Sequence, residues 1–370
     1  MRIVITGATG FIGRNLHLRV LELSAGEVLP VTRETSADDR RAALARADVV
    51  IHLAGINRPQ DPAEFMLGNA QFTDTLCTEL AASGRAVPMV FASSIQAALD
   101  NPYGRSKRAA EEAVLRYGER VNARVAILRL ANVFGKWSRP NYNSVVATFC
   151  YNTARGLPIT ISDPGSLLRL VHIDDVIDTI MLLVSGATDK QGIVAVGPVY
   201  ESTVGEVASA IQGFAESRRT LSLAPVGTGF LRALYSTYVS YLRAEDFSYG
   251  LLRHEDPRGS FAEVMRTADA GQFSVFTAHP GVTRGGHYHH TKTERFLVVQ
   301  GSARFRFRHV VTGERLDLTV TGAEARIVET VPGWAHDITN SGNDELIVML
   351  WANEVFDPQK PDTIMARVTE

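Results

Sequence analysis

Residues 281–301 read GVTRGGHYHHTKTERFLVVQG, and this stretch decides the fold of the last third of the chain. Gly281, His287, His289, Glu294 and Gly301 fall in the pattern G-x5-H-x-H-x4-E-x6-G. Alternate side chains of a strand share a face, so His287 and His289 present both imidazoles to one side. Glu294 opens the following strand. A second half, Pro332-Gly333-Trp334-Ala335-His336, closes with Asn340 and brings a further imidazole from a neighbouring strand. Three neutral imidazoles and one carboxylate make an N3O donor set suited to a divalent transition metal, zinc foremost. Three of the ten histidines lie within four residues, a density that histidines scattered over a solvated surface do not produce.

Around this stretch, beyond Gly259, short alternating runs such as FRFRHV (305–310) and LIVMLW (346–351) are separated by Gly, Asn and Pro turns. That pattern predicts antiparallel β structure. The first two-thirds read differently. Strand-like runs at 2–6, 28–32, 49–54, 87–93 and 124–130 alternate with helical patterns at 11–23, 38–47, 61–83 and 103–120. Such alternation predicts a doubly wound parallel sheet with helices on both faces. Further helices are expected at 143–155, 174–186 and 203–217, and residues 217–250 lose any clear period. The domain boundary is therefore placed near residue 245: an α/β domain over 1–245, and an all-β, metal-binding domain over 246–370.

At 370 residues the chain is long for one domain and comfortable for two. A net charge of −2 implies neither nucleic acid nor an anionic membrane as partner. Cys77 and Cys150 fall in predicted helices and offer no disulfide framework. Met1 runs straight into a strand, and no apolar run approaches the ~20 residues that span a bilayer. A cytoplasmic enzyme is expected.

Arg2-Ile3-Val4-Ile5-Thr6 is followed at once by GATGFIG, with glycines at 7, 10 and 13. A helix continues through Phe11, Ile12, Leu16, Val20 and Leu23. Glycines at such a strand-to-helix turn let backbone N–H groups approach a pyrophosphate at the positive end of a helix. Gly7, Thr9, Gly10, Phe11, Ile12 and Gly13 are the candidate cofactor contacts. Later, Tyr103 and Lys107 stand four apart on one helix face, and Ser94 ends the strand before them. A neighbouring ammonium favours a phenolate, so Tyr103 is a candidate for proton exchange with a sugar or ketone oxygen.

The ordered set of Gly-rich turn, strand-end Ser and Y-x3-K resembles the extended short-chain dehydrogenase/reductase family over about residues 1–240. The resemblance implies Tyr103 as general acid/base, Lys107 as the group that tunes it and holds the nicotinamide ribose, and Ser94 as hydrogen-bond partner of the reacting oxygen, with Ser93 its rival. It further implies Leu53, Ala54 and Gly55 beside the adenine and ribose, Asn132 touching the sugar, and Arg169 meeting a diphosphate. Two departures matter. Strand two ends Val31-Thr32-Arg33 with no acid at its tip, so Arg33 suits a 2′-phosphate and NADPH. Ile95-Gln96 stand where sugar-nucleotide dehydratases carry Asp-Glu, which argues against dehydration and leaves reduction or epimerisation.

The histidine motifs in turn resemble those of the cupin family, small double-sheet β-barrels. A reductase joined to a cupin, together with the segments NPYG (101–104), FGKW (134–137), PNYNS (140–144) and HYHHTK (287–292), resembles the capsular-polysaccharide assembling enzymes. That resemblance implies a cytoplasmic, bifunctional enzyme acting on a UDP-linked 2-acetamido-2,6-dideoxy-4-ketohexose. The cupin would epimerise C3 and the reductase would reduce C4 with NADPH. The product would be a 2-acetamido-2,6-dideoxy-L-talose type on the route to UDP-N-acetyl-L-fucosamine. The metal is then either a Lewis acid on the ketone or, with four protein ligands, structural. His290, Lys292 and Tyr288 are the candidates for the cupin base, and a homodimer paired through sheet edges is expected. Two other readings stay open: an NAD-dependent sugar-nucleotide C4 epimerase, and a non-catalytic nucleotide-sugar or redox-sensing regulator.

Overall fold

Arg2–Thr6 (β1) shows why the N-terminal layers form. Ile3 and Ile5 point to one face and Val4 to the other, all three fully buried, each contributing about 1.5–3 kcal/mol. A computed structural model describes residues 1–369. In it β1 is the second strand of a six-stranded parallel sheet. The others are Glu27–Val31 (β2), Val49–His52 (β3), Met89–Ser94 (β4), Val125–Leu130 (β5) and Gly192–Val194 (β8), in the order β2-β1-β3-β4-β5-β8. Helices Phe11–Glu22 (α1) and Ile173–Val184 (α6) cover the Ile3/Ile5 face through Leu16, Val20, Val176 and Ile180. Ala37–Arg46 (α2), Phe72–Ala82 (α3) and Pro102–Val121 (α4) cover the Val4 face through Leu44, Leu76, Leu80 and Val114. A small sheet of Asn132–Phe134 (β6), Leu167–His172 (β7) and Val199–Thr203 (β9) stands apart from it, with the helix Val145–Thr153 (α5) between β6 and β7 in the chain.

Two regions differ from expectation. The single helix expected over 61–83 is a π-helical turn, Met66–Gln71, leading into α3. Asn69 explains the extra residue in that turn. It is buried, it accepts from Ile56 N (2.8 Å), and it donates to the Ile56 carbonyl (2.9 Å) and to Ser106 Oγ (3.0 Å). Those partners draw the helix out of α register. Residues 217–250, without visible period, contain the helix Gly229–Val239 (α8). Its Ala233, Leu234, Thr237 and Tyr238 are buried, but the interspersed exposed Ser236 and half-buried Tyr235 mask their spacing.

The chain divides into two compact units. One is Met1–Ile211 with Ala233–Leu242, and the other is Gln212–Arg232 with the residues from Arg243 onward. The division thus crosses the helix Val204–Thr220 (α7). Residues 212–232 group with the second unit in part because Leu221 and Leu223 pair through their backbones with Arg266 (2.8 and 2.9 Å).

In the second unit two antiparallel sheets face each other. One runs Arg253–Asp256 (β10), Gly259–Thr267 (β11), Gly271–Ala278 (β12), Leu346–Ala352 (β19), Glu294–Gln300 (β14), Ile327–Glu329 (β17). The other runs Arg315–Thr321 (β16), Ser302–His309 (β15), Trp334–Asn340 (β18), Thr283–Tyr288 (β13), Ile364–Met365 (β20). Phe276, Phe296 and Val348 from the first pack on Phe305, Phe307 and Ile338 from the second. Among the described residues, no helix is long and apolar enough to cross a membrane.

Candidate active and metal sites

Strand order in the parallel sheet reverses at β1, with β2 on one side and β3 on the other, and ligands of such sheets bind at the carboxyl ends there. Gly7 leaves β1 at φ +69°, its N–H donating to the Val31 carbonyl at 2.9 Å. A Cβ on Gly7 would lie 2.9 Å from Ala54 N, and one on Gly13 would lie 2.3 Å from the Gly7 carbonyl oxygen. Both glycines are therefore required by close backbone approach, and the turn from Gly7 to Gly13 lies against the Leu53–Gly55 loop. Thr9 and Gly10 lie exposed in the turn, and Phe11 and Ile12 open α1 half-buried. Arg33 lies just beyond β2, exposed.

Helix α4 begins at Asn101, whose side chain accepts from Gly104 N at 2.7 Å, with Pro102 in its first turn. Tyr103, Lys107 and Glu111 follow at spacings of four. Tyr103 lies near enough to Ser94 for that hydroxyl to favour its charged form, and its ring packs on Phe65 (centroids 5.4 Å). Ser93 points elsewhere: it donates to buried Glu111 at 2.5 Å, and Glu111 is gripped by Arg129 at 2.7 and 3.0 Å. Of the two serines, the fold thus brings Ser94 to Tyr103. Lys107 is buried, donates to the Ala92 carbonyl (2.7 Å) and lies over Phe91. A Cβ on Gly55 would be 3.9 Å from Lys107 Nζ, so the Leu53–Gly55 loop and the lysine share one wall.

Burial holds the Tyr103 phenol above its ordinary pKa, and the nearby Ser94 hydroxyl acts the other way. Lys107, lowered to about 8 by burial and supported by the Glu111 charge, donates one of its three N–H groups to the Ala92 carbonyl. Asn132 is exposed on β6. Arg169, exposed on β7, is paired with Glu201 of β9 at 3.4 Å. Glu111, Arg129 and Asn69 escaped the sequence reading. Glu111 alone carried a usable signal, its i+4 spacing from Lys107.

In the second unit, His287, His289, Glu294 and His336 place their ligand atoms within 4.8 Å of one another. His287 sits opposite His336 in the β13–β18 pairing, and Glu294 starts β14 of the facing sheet, so the cluster bridges both sheets. His289 Nδ1 donates to the Asp362 carbonyl, and His336 Nδ1 to that of Trp334 at 3.2 Å. In neutral imidazoles this leaves both Nε2 atoms as lone pairs, each 3.4 Å from Glu294 Oε2. Nε2 of His336 is buried with no hydrogen-bond partner. Lone pairs converging on a carboxylate repel unless a cation lies among them, so these four residues fit a divalent metal. Burial, with His336 and His289, pushes His287 down to about 4. Although burial opposes it, positive charge at the cluster, the Lys292 ammonium included, holds Glu294 well below the usual carboxylate range.

Of the candidate bases, Lys292 is buried and paired with Glu294 Oε1 at 3.2 Å, whereas His290 is exposed and Tyr288 stacks edge-on against it. Asp362, unnoticed in the sequence, accepts from the backbone N–H groups of His290, Thr291 and Lys292 at 2.7–2.9 Å. It thereby fixes the turn between the ligands His289 and Glu294.

A model of the NAD dependent epimerase/dehydratase family matches residues 3–197. The chain belongs to that family. To the family domain is joined a polysaccharide biosynthesis C-terminal domain, matched over residues 254–364. This family member is 52% identical, over the full length of both chains, to UDP-2-acetamido-2,6-beta-L-arabino-hexul-4-ose reductase of Pseudomonas aeruginosa. Its structure matches the capsular polysaccharide assembling protein CapF of Staphylococcus aureus with a TM-score of 0.92 and 42% identity, covering 100% of each. It is CapF-like throughout. UDP-glucose 4-epimerase of Thermus thermophilus, solved with NAD, matches 65% of this chain and 99% of its own at a TM-score of 0.54 and 22% identity, a likeness of fold alone.

Proposed function

We propose that the chain is a bifunctional sugar-nucleotide enzyme that epimerises C3 of a UDP-2-acetamido-2,6-dideoxy-4-ketohexose and then reduces its C4 ketone. The observation that carries this reading is Tyr103 set near the Ser94 hydroxyl, with Lys107 buried one helical turn on, in a chain 52% identical to a 4-ulose reductase. Tyr103, kept protonated by burial, donates its proton to the ketone oxygen, and Ser94 aligns that oxygen. Lys107 stabilises the phenolate left behind, with Glu111 sustaining its charge. NADPH, when bound by the Gly7–Gly13 turn, the Leu53–Gly55 loop, Tyr103 and Lys107, supplies the hydride. Arg33 at the end of strand two favours the 2′-phosphate. Asn132 and Arg169 face the sugar nucleotide, and Arg169 must first release Glu201.

The C3 proton is acidic only while C4 is a ketone, because its loss gives an enolate, so epimerisation comes first. A divalent metal, zinc by its match to imidazole and carboxylate, supplies Lewis-acid polarisation when held by His287, His289, Glu294 and His336. Lys292 keeps Glu294 in place, and Asp362 keeps the ligand turn in place. Asp362→Ala is accordingly expected to weaken metal binding about 10–100-fold, measured by competition with a chromophoric chelator.

The test is incubation with a UDP-4-keto sugar in deuterated water, with and without nicotinamide. Deuterium should enter C3 without cofactor, and C4 reduction should require NADPH. Arg33→Ala should raise the KM for NADPH far more than that for NADH, by a charged hydrogen bond of roughly 1.5–3 kcal/mol. Wild-type preference for NADH, or NAD copurifying with the protein, would favour the C4-epimerase reading instead.

A further inference from the structure

On strand β18, His336 and Ile338 are two apart and share the face toward the space between the sheets. Their partners on β13 are His287 and Arg284, three apart, because the register shifts between Gly285 and His287. The extra residue is Gly286, and this bulge turns both Arg284 and His287 onto the lumen, where regular alternation would send one of them out. The device depends on glycine. Gly285 and Gly286 have φ of +99° and +84°, and a Cβ on Gly285 would meet the His336 carbonyl oxygen at 2.9 Å.

The bulge thus delivers a guanidinium into a cavity of about 190 Å³ walled by Phe261, Phe276, Phe296 and Phe305 and shared with His287, Glu294 and His336. Arg284 lies over the Phe276 ring at 5.3 Å. Its Nε is buried without a hydrogen-bond partner. The carboxylate near enough to act on it, Asp256, is taken by Arg258 at 2.6 and 3.1 Å. A partly desolvated guanidinium whose buried Nε–H is unfilled is a site for an anionic oxygen, and its planar fork matches phosphate. A cavity of this size takes a monosaccharide ring but not a nucleotide, so an attached diphosphate must stay where the lumen opens. Arg284 is half-buried, and its neighbours Asp256 and Arg258 are exposed, which puts it at that opening.

We propose that Arg284 is a substrate-binding residue of the C-terminal lumen, holding a diphosphate oxygen of a nucleoside diphosphate sugar whose ring lies beside the His287–Glu294–His336 cluster. The proposal rests on the epimerase reading above and adds the group that seats the substrate. A phosphate contact is present before and during reaction alike, so its loss should appear in KM and not in kcat.

The experiment uses full-length, metal-loaded protein and measures C3 deuterium uptake against substrate concentration without nicotinamide. Arg284→Met keeps a chain over Phe276 and removes the donors, while Arg284→Lys keeps the charge without the fork. In Arg284→Met, KM and the inhibition constant of UDP should both rise about 10–100-fold with kcat within about threefold, and Arg284→Lys should lie between. Unchanged KM and UDP inhibition overturn the proposal. So does a fall in kcat at constant KM, which would put Arg284 on charge developing during reaction. If wild-type protein takes up no deuterium, the epimerase reading fails, and calorimetric titration with UDP decides Arg284 alone. Wild type should then bind UDP at one more site than Arg284→Met, and equal stoichiometry overturns the assignment.

Discussion

Tyr103→Phe should lower NADPH oxidation by at least about 10²-fold, the ordinary worth of a positioned proton donor. The phenol lies near the Ser94 hydroxyl, and burial favours its protonated form, as the delivery of a proton to a ketone oxygen requires. Phe is isosteric apart from that hydroxyl and keeps the packing on Phe65, so a folding defect would not account for the loss. Ser94→Ala should reduce the rate less, because it aligns the oxygen without giving up the proton. C3 deuterium uptake should persist in Tyr103→Phe, since that chemistry is assigned to the second unit. Full reductase activity in the variant, measured at 340 nm, removes Tyr103 from its role.

How far this site could be read without coordinates depends on how local its signals are. The Gly7–Gly13 turn is legible because backbone approach forbids any other residue there, and that requirement is written in a few consecutive letters. Tyr103, Lys107 and even Glu111 share one helix face and need only the 3.6-residue period. The metal cluster is legible in part because β alternation sets His287 beside His289 and Glu294 follows after one turn, while His336 arrives from β18, far along the chain. Asn69, Asp362 and the Ser93–Glu111–Arg129 group act across 13 to 73 residues of separation, and no local pattern announces such contacts. The helix Gly229–Val239 stayed hidden for another reason, since polar residues alternate with the few that it buries. Helical spacing puts Lys107 on the Tyr103 face but says nothing of the burial that holds the phenol above its ordinary pKa, or of the Ala92 carbonyl that takes one of the ammonium's hydrogens.

The reciprocal variant, His289→Ala, should abolish metal binding and C3 deuterium uptake while sparing NADPH oxidation on a substrate already epimerised at C3. His289 is the apt position because it is buried and its Nδ1 is committed to Asp362, which leaves Nε2 free to coordinate. Elemental analysis of wild-type protein should find about one metal per chain, and the variant should retain none. A ligand bound only by the folded state stabilises it, by about 2.7 kcal/mol at a free concentration 100 times Kd. Stripping the wild type should therefore lower Tm, and His289→Ala should melt near the stripped value whether or not metal is added. The chemical role of the metal separates from its structural role in the exchange assay. If stripped protein held well below its Tm stays folded yet takes up no deuterium, the ion polarises the ketone directly. If it exchanges at the wild-type rate, the cluster serves only to join the two sheets. With Tyr103→Phe this makes a double dissociation, each variant losing one reaction and keeping the other. A single variant that lost both would place the two reactions in one site and overturn the order of epimerisation before reduction.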